Sequence, residues 1–371
     1  MSPRSDLYTI GVEEEYQIID PATRELSPDS ETILPDAQKT LGDEVQLEIQ
    51  LAQIEIATSI CQTLADVRAQ LAHTRREVIA AAAKHNRQIA AAASHPFSYW
   101  SDQKITPHER YLSLEDDYKQ LSREQTIFGC HVHVGINDRE LAIQAMNHMR
   151  PWLASLLALS SNSPFWWGTN TGYFSYRTLV WSRWPFSGPP PIFSSRADRQ
   201  ELITTLIAIE SVSEPTKIYW DMRLSERFDT IEVRIMDVFM TIDDAVMAAG
   251  LVRALVQTCY EKALRGEIFP PVRHEVLRAA NWRAARYGLA GDLVDSVAER
   301  AVPAPQMMRS FLDFVRPALK DQHDWEAVSA HVEHVLHYGT GAARQLVIYQ
   351  RTQSLRDVVD FIVAETAKGT E

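Results

Sequence analysis

Cysteine is scarce. Cys61, Cys130 and Cys259 are scattered, odd in number and without CxxC spacing, which argues against a disulfide framework or a cysteine-held zinc and fits buried thiols in a reducing compartment. Positive charge is also short. With 37 Lys and Arg against 49 Asp and Glu the net charge is -12, so neither a nucleic-acid backbone nor an anionic membrane surface is an expected partner, and an anionic substrate needs local Arg or metal ions. No apolar run approaches the ~18 residues of a membrane span. Met1-Ser-Pro-Arg-Ser-Asp6 has no apolar signal core, and the expected location is the cytoplasm. The chain has no GxxxxGK loop and no GxGxxG opening a helix, so a bound nucleotide would be held through metals and Arg. HExxH and Ser-His-Asp or Cys-His signatures are missing too, which disfavours metallohydrolase chemistry and a covalent nucleophile.

What is present is a large core. The 371 residues are 45% apolar, and candidate strands run from residue 7 to residue 239 with no linker, repeat or low-complexity segment between them. The expectation is one α+β domain over 1–371, with sheet-forming segments mainly in 7–239 and a helical layer in 240–371. The sheet should be mainly antiparallel, with helices packed on its outer face.

Thr9 to Asp20 carries three consecutive carboxylates in a strand-like run. Alternation puts Ile10, Val12, Glu14, Tyr16 and Ile18 on one face and Glu13, Glu15 and Gln17 on the other. Two same-face carboxylates ~7 Å apart repel by about 2 kcal/mol at an effective dielectric near 20. Two readings fit: a divalent cation with hard oxygen ligands, or a solvated edge strand whose charges oppose edge pairing.

Pro21 to Gly42 reads as loop, and Val45 to Thr58 as two short strands with a phase slip beyond Ala52, a bulge or tight turn that could bring Glu48 and Glu55 to one polar side. Thr63 to Ala93 reads as a long helix opened by a Thr63/Asp66 capping box, with Leu64, Val67, Leu71 and Val78 as its apolar stripe. Phe128 to Ile136 alternates, with His131 and His133 on the polar face; two imidazoles at this spacing suit a metal, a phosphate or plain hydrogen bonding. Asp138 caps a helix to about Ser160. Ser163 to Phe193 is rich in aromatics, Gly and Pro and reads as an ordered lid, or as ordinary aromatic packing over a sheet edge. Ser195 caps a helix to about Val212. Lys217–Asp221 and Thr230–Phe239 read as strands, the second with Glu232 and Arg234 on its polar face. From Asp243 the spacing is helical through 243–265, 273–287, 305–320, 322–338 and 341–366. His331, His334 and His337 form a solvated or subunit-facing stripe on one of these helices, with no carboxylate cage beside them.

If these strands share a sheet, Glu13, Glu15, Glu48, Glu55 and Glu232 line one anionic trough, which two or three magnesium ions would neutralise. Gly11-Val-Glu-Glu-Glu15, Glu48 to Glu55 with Gln53-Ile-Glu-Ile-Ala-Thr58, Gly129-Cys-His-Val-His-Val-Gly135, Ser175-Tyr-Arg177 and Ile231-Glu-Val-Arg234 occur in this order. With them the chain resembles the glutamate-cysteine ligase superfamily, in its bacterial carboxylate-amine ligase branch (glutamate-cysteine ligase type 2). The resemblance implies a glutamine-synthetase-like curved antiparallel sheet whose concave face binds ATP and metals. It implies Glu13, His131 and Glu232 on a metal near the phosphates and Glu15, Glu48 and Glu55 on a second, with Mg2+ or Mn2+ as the ion. Arg234 would neutralise the transferring phosphoryl group, Arg177 would meet a phosphate or substrate carboxylate, and His133 joins Arg234 as a nucleotide contact. Position 48 holds Glu where related enzymes can carry Asp, a change of one methylene in reach.

The implied activity is ATP-dependent joining of a glutamate-like side-chain carboxylate to an amine, cysteine by the family label, through an acyl phosphate. A guanidino or amino-acid kinase on the same fold and a non-catalytic metal- and nucleotide-binding protein are the rivals. The expected partners are small molecules and further copies of the chain.

Overall fold

The alternating run at the N-terminus becomes β1 (Ile10–Ile19), an inner strand of a seven-stranded sheet, in a computed structural model that describes residues 7–371. Met1–Asp6, read above for a signal core, lie outside the described residues. The other strands are β2 (Val45–Leu47), β3 (Gln53–Ala57), β4 (Gln88–Ala90), β5 (Gly129–Gly135), β6 (Met222–Leu224) and β7 (Thr230–Asp237). Their order is β2-β3-β1-β5-β7-β6, with β4 beside the far end of β1, and all pairs are antiparallel. The α+β expectation holds.

Register decides which side chains meet. Glu13 lies opposite Ala57 on β3 and His131 on β5, Glu15 opposite Glu55, and His133 opposite Glu232. A register shift between Cys130 and Val132 leaves β7 one residue longer than β5 around Arg234, the local extra residue of a bulge.

The opposite face of β1 is core: Ile10, Val12, Tyr16 and Ile18 are buried, and so is Glu14. A charge there needs a partner. Arg75 of the helix Leu64–Lys84 supplies it, giving Nη2 and Nε to the two Glu14 oxygens at 2.6 and 2.9 Å; the Nε–H is shared with Tyr16 Oη at 3.1 Å, Nη2 also donates to the Phe239 carbonyl and Nη1 to that of Met240. That helix packs on the apolar side with Ile242–Leu264, which is buried on most of its faces.

Several boundaries differ from the sequence reading. Residues 21–42 contain a helix, Ser30–Leu41, hidden by Pro35 and few apolar residues, although Ile33, Ala37 and Leu41 repeat every fourth position and are buried. The helix expected over 63–93 ends at Lys84, because Asn86 adopts φ 54 and turns the chain into β4. The helix expected over 139–160 is broken by the 3-10 turn Arg150–Trp152 around Pro151. The strand expected at 217–221 falls at β6 instead. The C-terminal third is helical as read, except for the hairpin Asp292–Asp295 with Arg300–Pro303 and a left-handed Gln353 that splits 341–366 into two helices.

Candidate active site

Two clusters of ligand-type side chains lie on the polar face. Glu15, Glu48 and Glu55 bring one oxygen each within 4.8 Å of one another, and Glu13, His133 and Glu232 do the same with two oxygens and one ring nitrogen. The first trio is assembled by the Glu15–Glu55 register and by the turn after β2, which carries Glu48 round to the side of β3. Glu48 Oε2 accepts from the Ile49 amide at 2.9 Å, and Glu15 Oε2 accepts from Gly129 N at 2.6 Å and Gln53 Nε2 at 3.0 Å.

Burial and mutual repulsion shape the titration of this trio. Burial and then Glu48 push Glu15 up to about 7, against the pull of Arg177. Burial followed by the charges of Glu13, Glu48 and Glu15 pushes Glu55 well above the usual carboxylate range, and burial raises Glu48 despite Arg110. Three carboxylates so placed either take up protons or meet a cation, and an all-oxygen set fits a hard divalent ion such as Mg2+.

The second cluster has its own counter-charges. Glu13 Oε1 lies 3.2 Å from His133 Nε2, and Glu13 Oε2 lies 3.0 Å from His131 Nδ1. Burial would raise Glu13, but the two imidazoles hold it well below its ordinary value. Burial would raise Glu232 as well; Arg234 and then Arg223 hold it low, with Arg223 Nε 2.7 Å from one oxygen and Arg234 Nη1 on the other. Burial lowers His133, but Glu13 and Glu232 raise it on balance, whereas burial and then Arg234 lower His131 to about 4.

The histidine that converges with Glu13 and Glu232 is therefore His133, which faces Glu232 in register and shares a hydrogen bond between Nδ1 and Thr230 Oγ1 at 3.0 Å. His131, implied by the family resemblance as the ligand, sits at the bulge. It bonds Glu13 and faces the cavity that Glu15, Glu48, Arg177 and Arg234 line.

That cavity, of about 80 Å³, joins Glu15 and Glu48 of the first trio to both arginines singled out in the sequence. Trp181 and Trp184, from the aromatic stretch, form part of its wall with Tyr219. Within the stretch 163–193 read as a lid, Phe165–Trp166 pairs with Thr169–Asn170 in a short hairpin, and Arg286 Nη1 donates to the Gly172 carbonyl beside it.

Arg110, Tyr111 and Gln125 also line the cavity and were not found from sequence. Tyr111 Oη donates to the Leu47 carbonyl at 2.9 Å, beside Glu48, and Gln125 Oε1 accepts from Trp184 Nε1 at 2.6 Å. Tyr111, Leu114 and Tyr118 repeat at helical spacing on Glu109–Tyr118, which was the available signal. The C-terminal histidines form no such cluster among the described residues; His331 Nε2 bonds Asp244 Oδ1 at 2.8 Å and its ring stacks on His334. All three cysteines are buried and free.

The profile of glutamate-cysteine ligase family 2 matches residues 9–361. A Rhodopirellula baltica protein provisionally named glutamate–cysteine ligase 2 is 39% identical over 363 residues, covering 96% of each chain. A Herpetosiphon aurantiacus protein of the same provisional name is 38% identical, covering 98% of this chain and 94% of its own. Among solved structures, glutamate–cysteine ligase from Francisella tularensis in complex with AMP superposes with a TM-score of 0.72 over 98% of this chain and 90% of that one. At 11% identity that likeness speaks for the fold alone.

Proposed function

The chain belongs to glutamate-cysteine ligase family 2 and is a carboxylate–amine ligase, and we propose that it uses ATP to join a glutamate-like side-chain carboxylate to an amine through an acyl phosphate. The observation that carries this reading is the meeting of Glu15, Glu48, Arg177 and Arg234 around one cavity, with the Glu13–His133–Glu232 cluster on the neighbouring strands.

The chemistry calls for that arrangement. A carboxylate oxygen is a poor leaving group. Attack of that oxygen on the γ-phosphorus of ATP, with ADP departing, makes it part of phosphate; the amine nitrogen then attacks the acyl carbon, phosphate leaves with the electron pair, and the amine loses a proton. Negative charge passes across phosphoryl oxygens in both steps, so catalysis rests on positioned positive charge. In this reading Glu15, Glu48 and Glu55 would hold one Mg2+, and Glu13, His133 and Glu232 a second, while His131 orients Glu13. Bound Mg2+ supplies charge neutralisation at the phosphates. Arg234 presents its planar fork to the transferring phosphoryl group, and Arg177 meets a phosphate or the substrate carboxylate. Trp181 and Trp184 restrict water at the cavity wall, which protects a hydrolysable intermediate.

The test is a panel of amino acids and amines assayed for ADP release with MgATP, read with product mass. An amide product that forms only with both substrates supports the reading. ADP release with a phosphorylated amino acid and no amide would overturn it in favour of a kinase.

A further inference from the structure

Arg177 enters the cavity from the first turn of the helix Tyr176–Trp181 and is buried. Its Nη1 and Nη2 reach the carbonyls of Ile235 and Arg234 at 3.3 Å each, and these neutral acceptors carry no counter-charge; Glu15 and Asp221 act on it from farther off. Among the described residues its ion-pair partner is Asp237, whose Oδ1 stands 3.9 Å from Nη1. That is too long for a hydrogen bond, so Asp237 contributes charge rather than a bond.

Neutral donors hold the carboxylate in turn. Asp237 Oδ1 accepts from Ser175 Oγ at 2.8 Å, and Oδ2 accepts from Ser163 Oγ at 2.7 Å and Asn162 N at 2.8 Å. Ser163 Oγ also accepts from the backbone N of Arg177 at 3.1 Å. Both ends of residue 177, amide and guanidinium, are thus referenced to one carboxylate. Asn162 is itself fixed from the C-terminal helix Gly341–Thr352, where Gln345 Nε2 meets its Oδ1 at 2.8 Å.

A neutral Asn at 237 could keep this tie in one orientation, its Oδ1 accepting from Ser163 Oγ and Asn162 N while its amide donates to Ser175 Oγ, whose hydroxyl then turns to Thr178 Oγ1. A fully buried carboxylate carries a desolvation cost that a structural tie alone does not require, and it is sustained by a nearby cation. We infer that Asp237 is a positioning residue: its locked negative charge holds the Arg177 guanidinium at the edge of the cavity, so that Arg177 is already aimed when an anionic group arrives. The functional side of this inference rests on the ligase reading; the positioning itself does not.

Asp237→Asn keeps the shape and removes the charge. Arg177 Nε is buried without a hydrogen-bond partner, so its Nε–H proton, assigned by its loss in Arg177→Lys, gives a signal whose exchange with water reports how firmly the guanidinium is held. In Asp237→Asn this signal should shift and exchange faster than in wild type. In the ADP-release assay kcat/KM should fall by about tenfold or more, with no further loss when Asp237→Asn is added to Arg177→Lys, since one residue acts through the other. Ser163→Ala, which loosens the carboxylate without removing it, should move the signal in the same direction by less and serves if Asp237→Asn does not fold. An unchanged Arg177 signal in the folded variants, or losses that multiply in the double variant, would overturn the proposal. If wild type turns over nothing in the panel, the ligase reading fails and the Arg177 signal alone decides the positioning.

Discussion

Replacing Glu55 by Gln removes one charge from the Glu15–Glu48–Glu55 trio at nearly constant shape. Because the trio's oxygens lie within 4.8 Å of one another, each ionised pair repels by about 3.5 kcal/mol or more at an effective dielectric near 20. Glu55 faces two such partners, so full ionisation would cost about 7 kcal/mol through Glu55 alone, a cost that the trio escapes by taking up protons. Glu15 is pushed to about 7 and Glu55 well above the carboxylate range, by burial first and by neighbouring carboxylates second. Folded-state values above the unfolded ones mean that the folded chain binds more protons, so stability present at low pH is lost as pH rises through about 7. For Glu15 alone the loss is on the order of 3 kcal/mol. Metal-free wild type should therefore melt lower at pH 8 than at pH 6, and Glu55→Gln should melt higher than wild type at pH 8 by about 3 °C. Magnesium reverses the order: at a hundredfold excess over its Kd it stabilises the intact trio by about 2.7 kcal/mol, and the variant by less. Thermal melts in EDTA and in MgCl2 at both pH values measure all of these. A variant that melts below wild type in EDTA at pH 8, or that gains as much as wild type from magnesium, would refute the reasoning.

Arg234→Lys keeps the charge and loses the planar fork, so the turnover rate should fall by about a hundredfold, near 3 kcal/mol of transition-state stabilisation; a near-normal rate in the ADP assay would make Arg234 structural. Gly129→Ala puts a Cβ 2.5 Å from Arg177 Nη2 and 3.2 Å from His131 Nε2, so steady-state kinetics should show lost activity while the urea midpoint stays close to wild type; the reverse pattern would contradict the placement of Arg177. Arg75→Met strands the buried Glu14 carboxylate and should cost about 3–5 kcal/mol in urea unfolding, part of it recovered in the double variant with Glu14→Gln; a loss near zero would mean that the pair is solvated.

What could be read from the chain divides along physical lines. Alternation is local, so the faces of β1, β5 and β7, and with them Glu13, Glu15, His131, His133 and Glu232, are legible in the residue order itself. Pairing is not local. Which imidazole meets Glu232 depends on the register between β5 and β7 and on the bulge beside His131, and no period in the sequence encodes it. The same holds for Glu14 and Arg75. Each is a charge on an apolar face, Glu14 among Val12 and Tyr16 and Arg75 between Leu71 and Val78, yet only the packed helix reveals that they share one bond network. Arg110, Tyr111 and Gln125 escaped because they lie in short helices and turns whose tertiary neighbours, Glu48 and Trp184, decide their use. The Ser30–Leu41 helix escaped through Pro35, which the chain tolerates within its second turn.

The central claim is activation of a carboxylate as an acyl phosphate, and trapping tests it most directly. Wild type is incubated with MgATP, hydroxylamine and each carboxylate of a panel headed by glutamate, and hydroxamate and ADP are quantified together. The account predicts a hydroxamate at the side-chain carboxyl with one ADP released per trap, lost in Glu15→Gln and formed about a hundredfold more slowly in Arg234→Lys. ADP release without hydroxamate for every carboxylate, or no reaction under either Mg2+ or Mn2+, would contradict it.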